Sequence, residues 1–390
     1  MPGNRNPRRF FWYFCKKKLQ APTFSIFTAA DTLPDDWDKI ADHRIFLQKR
    51  YLQLLGESAP DNMQVFFVGL YNEDKLQGIA LIQVLDFRTI QTFGNRDHRL
   101  KNKIRTWAFK QFSSRVVIVG NNMLTGQHAF AMPLHPAFFS SLHGAVEEIG
   151  RRTGAPLTIW KDFYPEYIAQ FPANAFQTYY QFSTQPNMVL DIQGWKSEAD
   201  YVATFLKKYR DQYKRARKKA LDVERRILMP DEINRFEARM HHLYLTVAQK
   251  APFNTFFLPS DHFYTIKKFL NDDFSVIGYF YDGELIGFCT IIRNNGDADT
   301  YFLGYDEEHQ KTKMLYLNML YDMIGQTISS SAKRLILART ALEIKSSVGA
   351  VPLHMFGYIK HRNSFINSVI GTLFRFFEPK MKWQQRHPFK

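Results

Sequence analysis

Tyr305, Asp306, Glu307 and His309 fall within five positions, directly after the apolar stretch Thr300–Gly304. A carboxylate or a histidine there can take up a proton near neutral pH, and a tyrosine can return one. A second segment, Arg339-Thr340-Ala341-Leu342-Glu343-Ile344-Lys345, follows the apolar run that begins at Arg334. Ligands of α/β sheets collect at such strand ends, and Arg339 there can clamp a phosphate or carboxylate bidentately. Thr340 and Glu343 have capping-box spacing, which predicts a helix start. Earlier, Gly120-Asn121-Asn122 and Thr125-Gly126 form a small, uncharged loop ahead of a predicted helix, suited to an anion nest of backbone amides. Lys207 to Lys219 holds eight bases, Lys208 and Arg210 among them, and one acid, Asp211. Such a face repels itself without a counter-anion, so it points to a phosphate-bearing partner: tRNA, an acidic acyl carrier or a lipid headgroup.

These residues need elements to hold them. Tyr201, Phe205, Tyr209 and Tyr213 recur every four residues, which predicts one helix over 197–220 with Ser197 as its N-cap. Residues 65–82 (VFFVGLYNEDKLQGIALI) and 274–291 (FSVIGYFYDGELIGFCTI) are similar at an offset of 209, with Gly69 on Gly278 and Gly78 on Gly287. Each is two apolar runs around a polar turn; Asp282-Gly283 is a strong hairpin signal and Asn72-Glu73-Asp74 a looser one. After each hairpin comes a strand (115–120; 300–304), a helix (136–152; about 312–329) and a strand (156–160; 334–339). The order predicts a duplicated α/β unit joined near 186–196.

The 390 residues are 45 % hydrophobic and 16 % aromatic, which excludes a disordered chain and suffices for two or three domains. Two distant cysteines exclude a disulfide framework and point to a reducing compartment. No apolar run reaches the roughly 18 residues that would span a bilayer, and the basic start lacks a signal-peptide centre, so a cytoplasmic protein is expected, peripheral at most to the inner membrane face. The net charge of +15 is concentrated in residues 1–19, 196–226 and 375–390. The first and last of these, with Phe10-Phe11-Trp12 and an amphipathic helix over 364–377, could make a membrane patch. The chain holds no H-E-x-x-H, C-x-x-C, G-x-x-x-x-G-K-[ST] or G-x-S-x-G, leaving metalloprotease, P-loop and α/β-hydrolase chemistry unsupported and no metal expected.

The unit order resembles the GNAT acyltransferase fold, and the tandem arrangement resembles the Fem-like peptidoglycan biosynthesis and recognition proteins. Trp195, Tyr201, Leu206, Lys208, Tyr209 and Arg210 look like that group's W…Y…L…KYR segment. Phe302-Leu303-Gly304-Tyr305 looks like its central strand, Arg339 to Lys345 with Gly349 like its R…E-x-K…G segment, and Gly120 to Gly126 like its G-N…G loop. The resemblance implies an α/β fold with mixed sheets in two GNAT-like units: a basic aromatic tail over 1–20, an N-terminal unit over 21–185, and a C-terminal unit over 186–390 with a basic first helix.

It also implies transfer of an acyl or aminoacyl group from an activated donor to an amine, such as a cell-wall precursor or an amino-lipid. The donor would be a co-substrate (acyl-CoA, acyl carrier protein or aminoacyl-tRNA), with no permanently bound cofactor. Lys345 would lie near the donor, where its charge stabilises an oxyanion; Tyr305, Glu307 and His309 would move protons; Arg339, Gly120, Asn121, Gly126, Lys208 and Arg210 would bind substrate. The family's Gly-rich pyrophosphate loop is replaced at Asp306–Lys313 by a glycine-free, acid-rich stretch. That departure supports an alternative: a non-catalytic protein that binds nucleic acid or the cell envelope on a degenerate GNAT scaffold.

Overall fold

The computed structural model describes residues 21–88, 114–251, 254–330, 332–377 and 383–390. The basic tail expected over 1–20 lies outside the described residues. The chain begins with β1 (Thr23–Phe27), α1 (Trp37–Ala41), α2 (Lys49–Glu57), the hairpin β2 (Met63–Asn72) and β3 (Lys75–Asp86), β4 (Arg115–Val119) and the short β5 (Phe130–Ala131). It continues with α3 (Pro136–Thr153), β6 (Leu157–Phe163), α4 (Pro165–Ile168), β7 (Tyr180–Ser183) and β8 (Asn187–Asp191). Next come α5 (Glu198–Ala203), α6 (Lys207–Lys219), β9 (Glu224–Ile227), α7 (Pro230–Arg235), α8 (Glu237–Ala248) and α9 (His262–Leu270). The second hairpin is β10 (Phe274–Tyr281) and β11 (Glu284–Asn294), followed by β12 (Asp297–Tyr305), α10 (Glu307–Lys313), α11 (Leu315–Ile328) and β13 (Arg334–Ala338). The chain closes with α12 (Leu342–Ser347), β14 (Val351–Leu353), β15 (Phe356–His361) and α13 (Ser364–Phe377).

The duplication reaches the register of the hairpins. β2 and β3 pair Leu70 with Gly78 and Tyr71 with Leu76, with a bulge between. β10 and β11 pair Tyr279 with Gly287 and Phe280 with Leu285, with a bulge at the same place. Both turns are two residues long with positive φ: Glu73 and Asp74 at 48° and 64°, Asp282 and Gly283 at 50° and 78°. That backbone matches the right-handed twist of the strands it joins.

Two mixed sheets result, ordered β1-β2-β3-β4-β6-β15-β7 (β5 adding to β3) and β14-β8-β13-β12-β11-β10-β9. The division at 186 follows the chain but not the sheets. β8 enters the second sheet beside β13, while β15, from the far end of the chain, enters the first sheet between β6 and β7. β15 thus crosses from the C-terminal unit into the first sheet, where it takes the place beside β6 that β8 takes beside β13. One hydrophobic core runs across the two units, with Trp37, Tyr51 and Leu55 in the same cluster as Phe263, Ile266 and Phe288.

Two predicted helices are broken. The one over 197–220 is interrupted at residues 204–206, because Phe205 forms a bridge to Phe389 and the Leu206 N–H donates to the Pro388 carbonyl. The one over 312–329 starts earlier, as α10, and breaks at Met314, whose φ is 52°. Among the described residues no helix is long and apolar enough to cross a membrane.

Candidate functional site

A cleft of about 590 Å³ opens between α6 and α12, at the C-terminal end of β13. Lys208, Tyr209 and Gln212 form one wall, Ala341 to Ile344 and Ser347 the other, and Trp383 and Arg386 of the C-terminal tail close it. The tail is fixed by Phe389, whose ring packs against Trp195, Tyr201 and Phe205. A Cβ at Gly349 would come within 2.2 Å of that ring, so glycine is required there. Arg386 pairs with Glu343, whereas Lys208 has no ion-pair partner among the described residues, so the cleft keeps a net positive lining. Arg210, on the same helix, is also without an ion pair among the described residues but does not line the cleft.

The capping box predicted at Thr340 does not form. Ala338, Thr340 and Ala341 have φ of 57°, 71° and 47°, and Ala341 occupies the N-cap with no side-chain cap. This backbone is costly for non-glycine residues. Lys345 holds it: the buried Nζ donates to the Arg339 carbonyl at 2.8 Å and the Ala338 carbonyl at 3.4 Å. Burial pushes its pKa down to about 7. Lys345 therefore sits behind the cleft wall rather than on it.

Arg339 also points away from the cleft. It forms an ion pair with Asp162, at the end of β6 in the other sheet, and burial pushes its pKa down to about 10. Lys161 reaches the same carboxylate at 2.7 Å and donates to the Asn121 and Leu124 carbonyls at 2.8 and 2.7 Å. Burial first, and the Arg339 charge second, hold Lys161 well below the usual lysine range. These contacts overturn the expected anion nest at Gly120–Gly126. The loop's carbonyls face a cation, and the Gly126 N–H donates to Asp162 at 3.3 Å. Asn121 is buried and donates to the Tyr51 hydroxyl at 2.8 Å.

The residues after β12 lie apart from the cleft. Asp306 caps α10, accepting from the Glu308 and His309 N–H groups, and pairs with the His309 ring at 3.1 Å. Glu307 pairs with Lys250. The stretch expected to be a loop is a helix capped by its own Asp306, which takes the Glu308 and His309 amides. Tyr305 is half-buried beside Tyr316, and burial raises its pKa. Gly304 lies against the α8 backbone; a Cβ would come within 2.4 Å of Leu243 and Tyr244 atoms, which explains the glycine in the Phe302–Tyr305 stretch.

The two units differ where their central strands meet. β4 pairs with β6 from Val116 through Val119. β12 pairs with β13 only at Asp297, Ala298 and Asp299, and the two strands then part. Asp299, at the parting point, is buried with Asn294 Nδ2 at 3.2 Å, and burial pushes its pKa up to about 7. Beside it a buried chain of hydrogen bonds crosses between the units. Asn121 donates to Tyr51, Tyr51 bonds to Tyr301, and the Tyr301 hydroxyl lies 3.0 Å from His262 Nε2. His262 Nδ1 meets the Ser58 carbonyl at 3.0 Å, so Nδ1 carries the proton and Nε2 accepts from Tyr301. Burial pushes His262 down to about 4, which keeps the ring neutral. Asp299, Tyr51, Tyr301, His262, Lys161 and Asp162 were not singled out from sequence; an acid within the strand pattern of Asp297–Tyr305 was the one available signal.

No family model and no curated protein matches the chain significantly. Solved structures do. FemX is similar at 8 % identity and a TM-score of 0.52, over 87 % of this chain and 97 % of that one. A tandem GNAT protein from the clavulanic acid biosynthesis pathway is similar at 12 % identity and a TM-score of 0.49, over 88 % and 99 %. L-PGS from Bacillus licheniformis is similar at 13 % identity and a TM-score of 0.46, over 87 % and 96 %. The FemX match, with the repeated strand order, gives the chain a Fem-type fold of two GNAT-like α/β units.

Proposed function

We propose that the protein is an acyl- or aminoacyl-transferase that works in its second unit and delivers an activated acyl group to an amine, such as a cell-wall precursor or an amino-lipid. The observation that carries this is the parting of β12 and β13 after Asp299, close to a positively lined cleft at the end of β13. The resemblance to GNAT units implies that an extended donor arm lies along the freed edge of β12 as an added strand. Lys208 then meets the donor's phosphate, and Tyr305, at the free end of β12, supplies a proton to the leaving group. The Asp306 cap of α10 takes the Glu308 and His309 amides and sets a carboxylate where a pyrophosphate would sit. That favours an acyl carrier or aminoacyl-tRNA over plain acetyl-CoA as donor.

The test presents the full chain with labelled acyl-CoA, acyl carrier protein and aminoacyl-tRNA, and follows transfer to amine acceptors by mass spectrometry. One donor class should be consumed. Lys208→Ala should raise the KM for that donor by about tenfold, and Leu342→Trp, which fills the cleft, should raise it further. Full activity in the filled variant would place the site elsewhere. The filled anion loops at Gly120–Gly126 and Asp306–Lys313 favour a second reading, a binding protein without turnover. Donor binding with no product formed would support it.

A further inference from the structure

The exposed face of α6 is densely basic. Lys207, Lys208, Arg210, Lys214, Arg215, Lys218 and Lys219 form no ion pair there, while Arg217, on the buried side, pairs with Glu198 and Asp322. At about 100° per residue, Lys207, Lys214 and Lys218 line one stripe together with Asp211, the one acid of the helix, with Arg210 on one flank and Arg215 and Lys219 on the other. The helix ends carry bare leucines: Leu206 is 44 % exposed and Leu221 81 %. Of the nine exposed large hydrophobic residues in the described chain, four (Leu206, Leu221, Ile227 and Met229) fall between 206 and 229.

We propose that this face docks the protein on an anionic lipid surface, with α6 lying in the plane of the headgroups and Leu206 and Leu221 entering the acyl boundary. The inference does not depend on the transferase reading, because the stripe lies outside the cleft. Two features of different chemistry coincide on one helix. The cations gain from any phosphate-rich partner. The leucines, about 20 Å apart along the axis, gain only where an apolar layer lies under the phosphates. A nucleic acid would neutralise the lysines and leave both leucines in water.

The full chain is sedimented with vesicles of equal parts phosphatidylcholine and phosphatidylglycerol, and with phosphatidylcholine alone. Binding to the mixed vesicles that falls as salt rises, and little binding to the neutral ones, is expected. The triple variant Lys207→Gln, Lys214→Gln, Lys218→Gln should lose on the order of 100-fold in partition. Arginine at the same three positions should restore it. Leu221→Ser should lose about tenfold on vesicles and nothing in the binding of bulk tRNA. Wild-type partition in the triple glutamine variant would overturn the proposal. So would indifference of the wild type to the mixed vesicles; tight, Leu221-independent tRNA binding beside it would make the face a nucleic-acid surface.

Discussion

Among the described residues Lys345 has no carboxylate partner, and its Nζ is engaged in holding a strained turn. Its pKa has a consequence for stability. In the unfolded chain a lysine keeps its proton to about pH 10.4, whereas folded Lys345 gives it up near 7. Between those values the unfolded state binds more protons, so stability rises with pH, and below pH 7 the cost of burying the cation is felt in full. Lys161 is shifted in the same direction. Urea midpoints measured from pH 7 to 9 should therefore climb, and Lys345→Met should flatten the slope by up to about 1.4 kcal/mol per pH unit. An unchanged slope would mean that Lys345 stays charged. Arg339 stood out from its place at a strand end and Lys345 from the family resemblance. Their partners did not, because Asp162 and the Ala338 and Arg339 carbonyls meet them only through the fold.

The elements that frame the cleft depend on a short tail. Residues 383–390 supply Trp383 and Arg386 to the lining, and Phe389 fills the space over Gly349, where φ is 99°. Phe389→Ala should cost about 2–4 kcal/mol, read as a drop in melting temperature, and should also raise the KM for the donor because the wall loses its anchor. A variant that loses stability with unchanged donor KM would separate the tail from the site. Sequence periodicity ran α5 and α6 together because Tyr201, Phe205 and Tyr209 keep helical spacing. The break at 204–206 comes from the bridge to Phe389, which lies far away along the chain.

At the scale of the molecule, the entry of β15 into the first sheet makes the N-terminal unit depend on the far end of the chain. Without β15, β6 and β7 lose their common partner and expose unpaired edges. Residues 21–185 expressed alone should be insoluble or molten, seen as lost near-ultraviolet dichroism, whereas the full chain should unfold in one transition. The ion cluster acts across the same boundary. Asp162→Ala leaves Lys161 and Arg339 buried without a counter-charge and should cost about 3–5 kcal/mol. Asp162→Ala together with Arg339→Met should recover part of that loss in a denaturation series, because one uncompensated cation is removed.

Local order was written in the sequence. The two hairpins, their turns, the strand-helix-strand succession and the basic face of α6 all rest on contacts between residues near in the chain, where spacing and turn chemistry decide. The tertiary structure alone decided which sheet each late strand joins. A six-residue strand such as Phe356–His361 (FGYIKH) carries no mark of its partner, and pairing energy is won equally in either sheet until the rest of the chain closes one of them. It also decided that the glycine loop is filled by Lys161, that Arg339 faces Asp162, and that β12 and β13 part in one unit and not in the other. Each of those outcomes depends on buried charges and strand edges brought together from distant parts of the chain, where sequence spacing has no say.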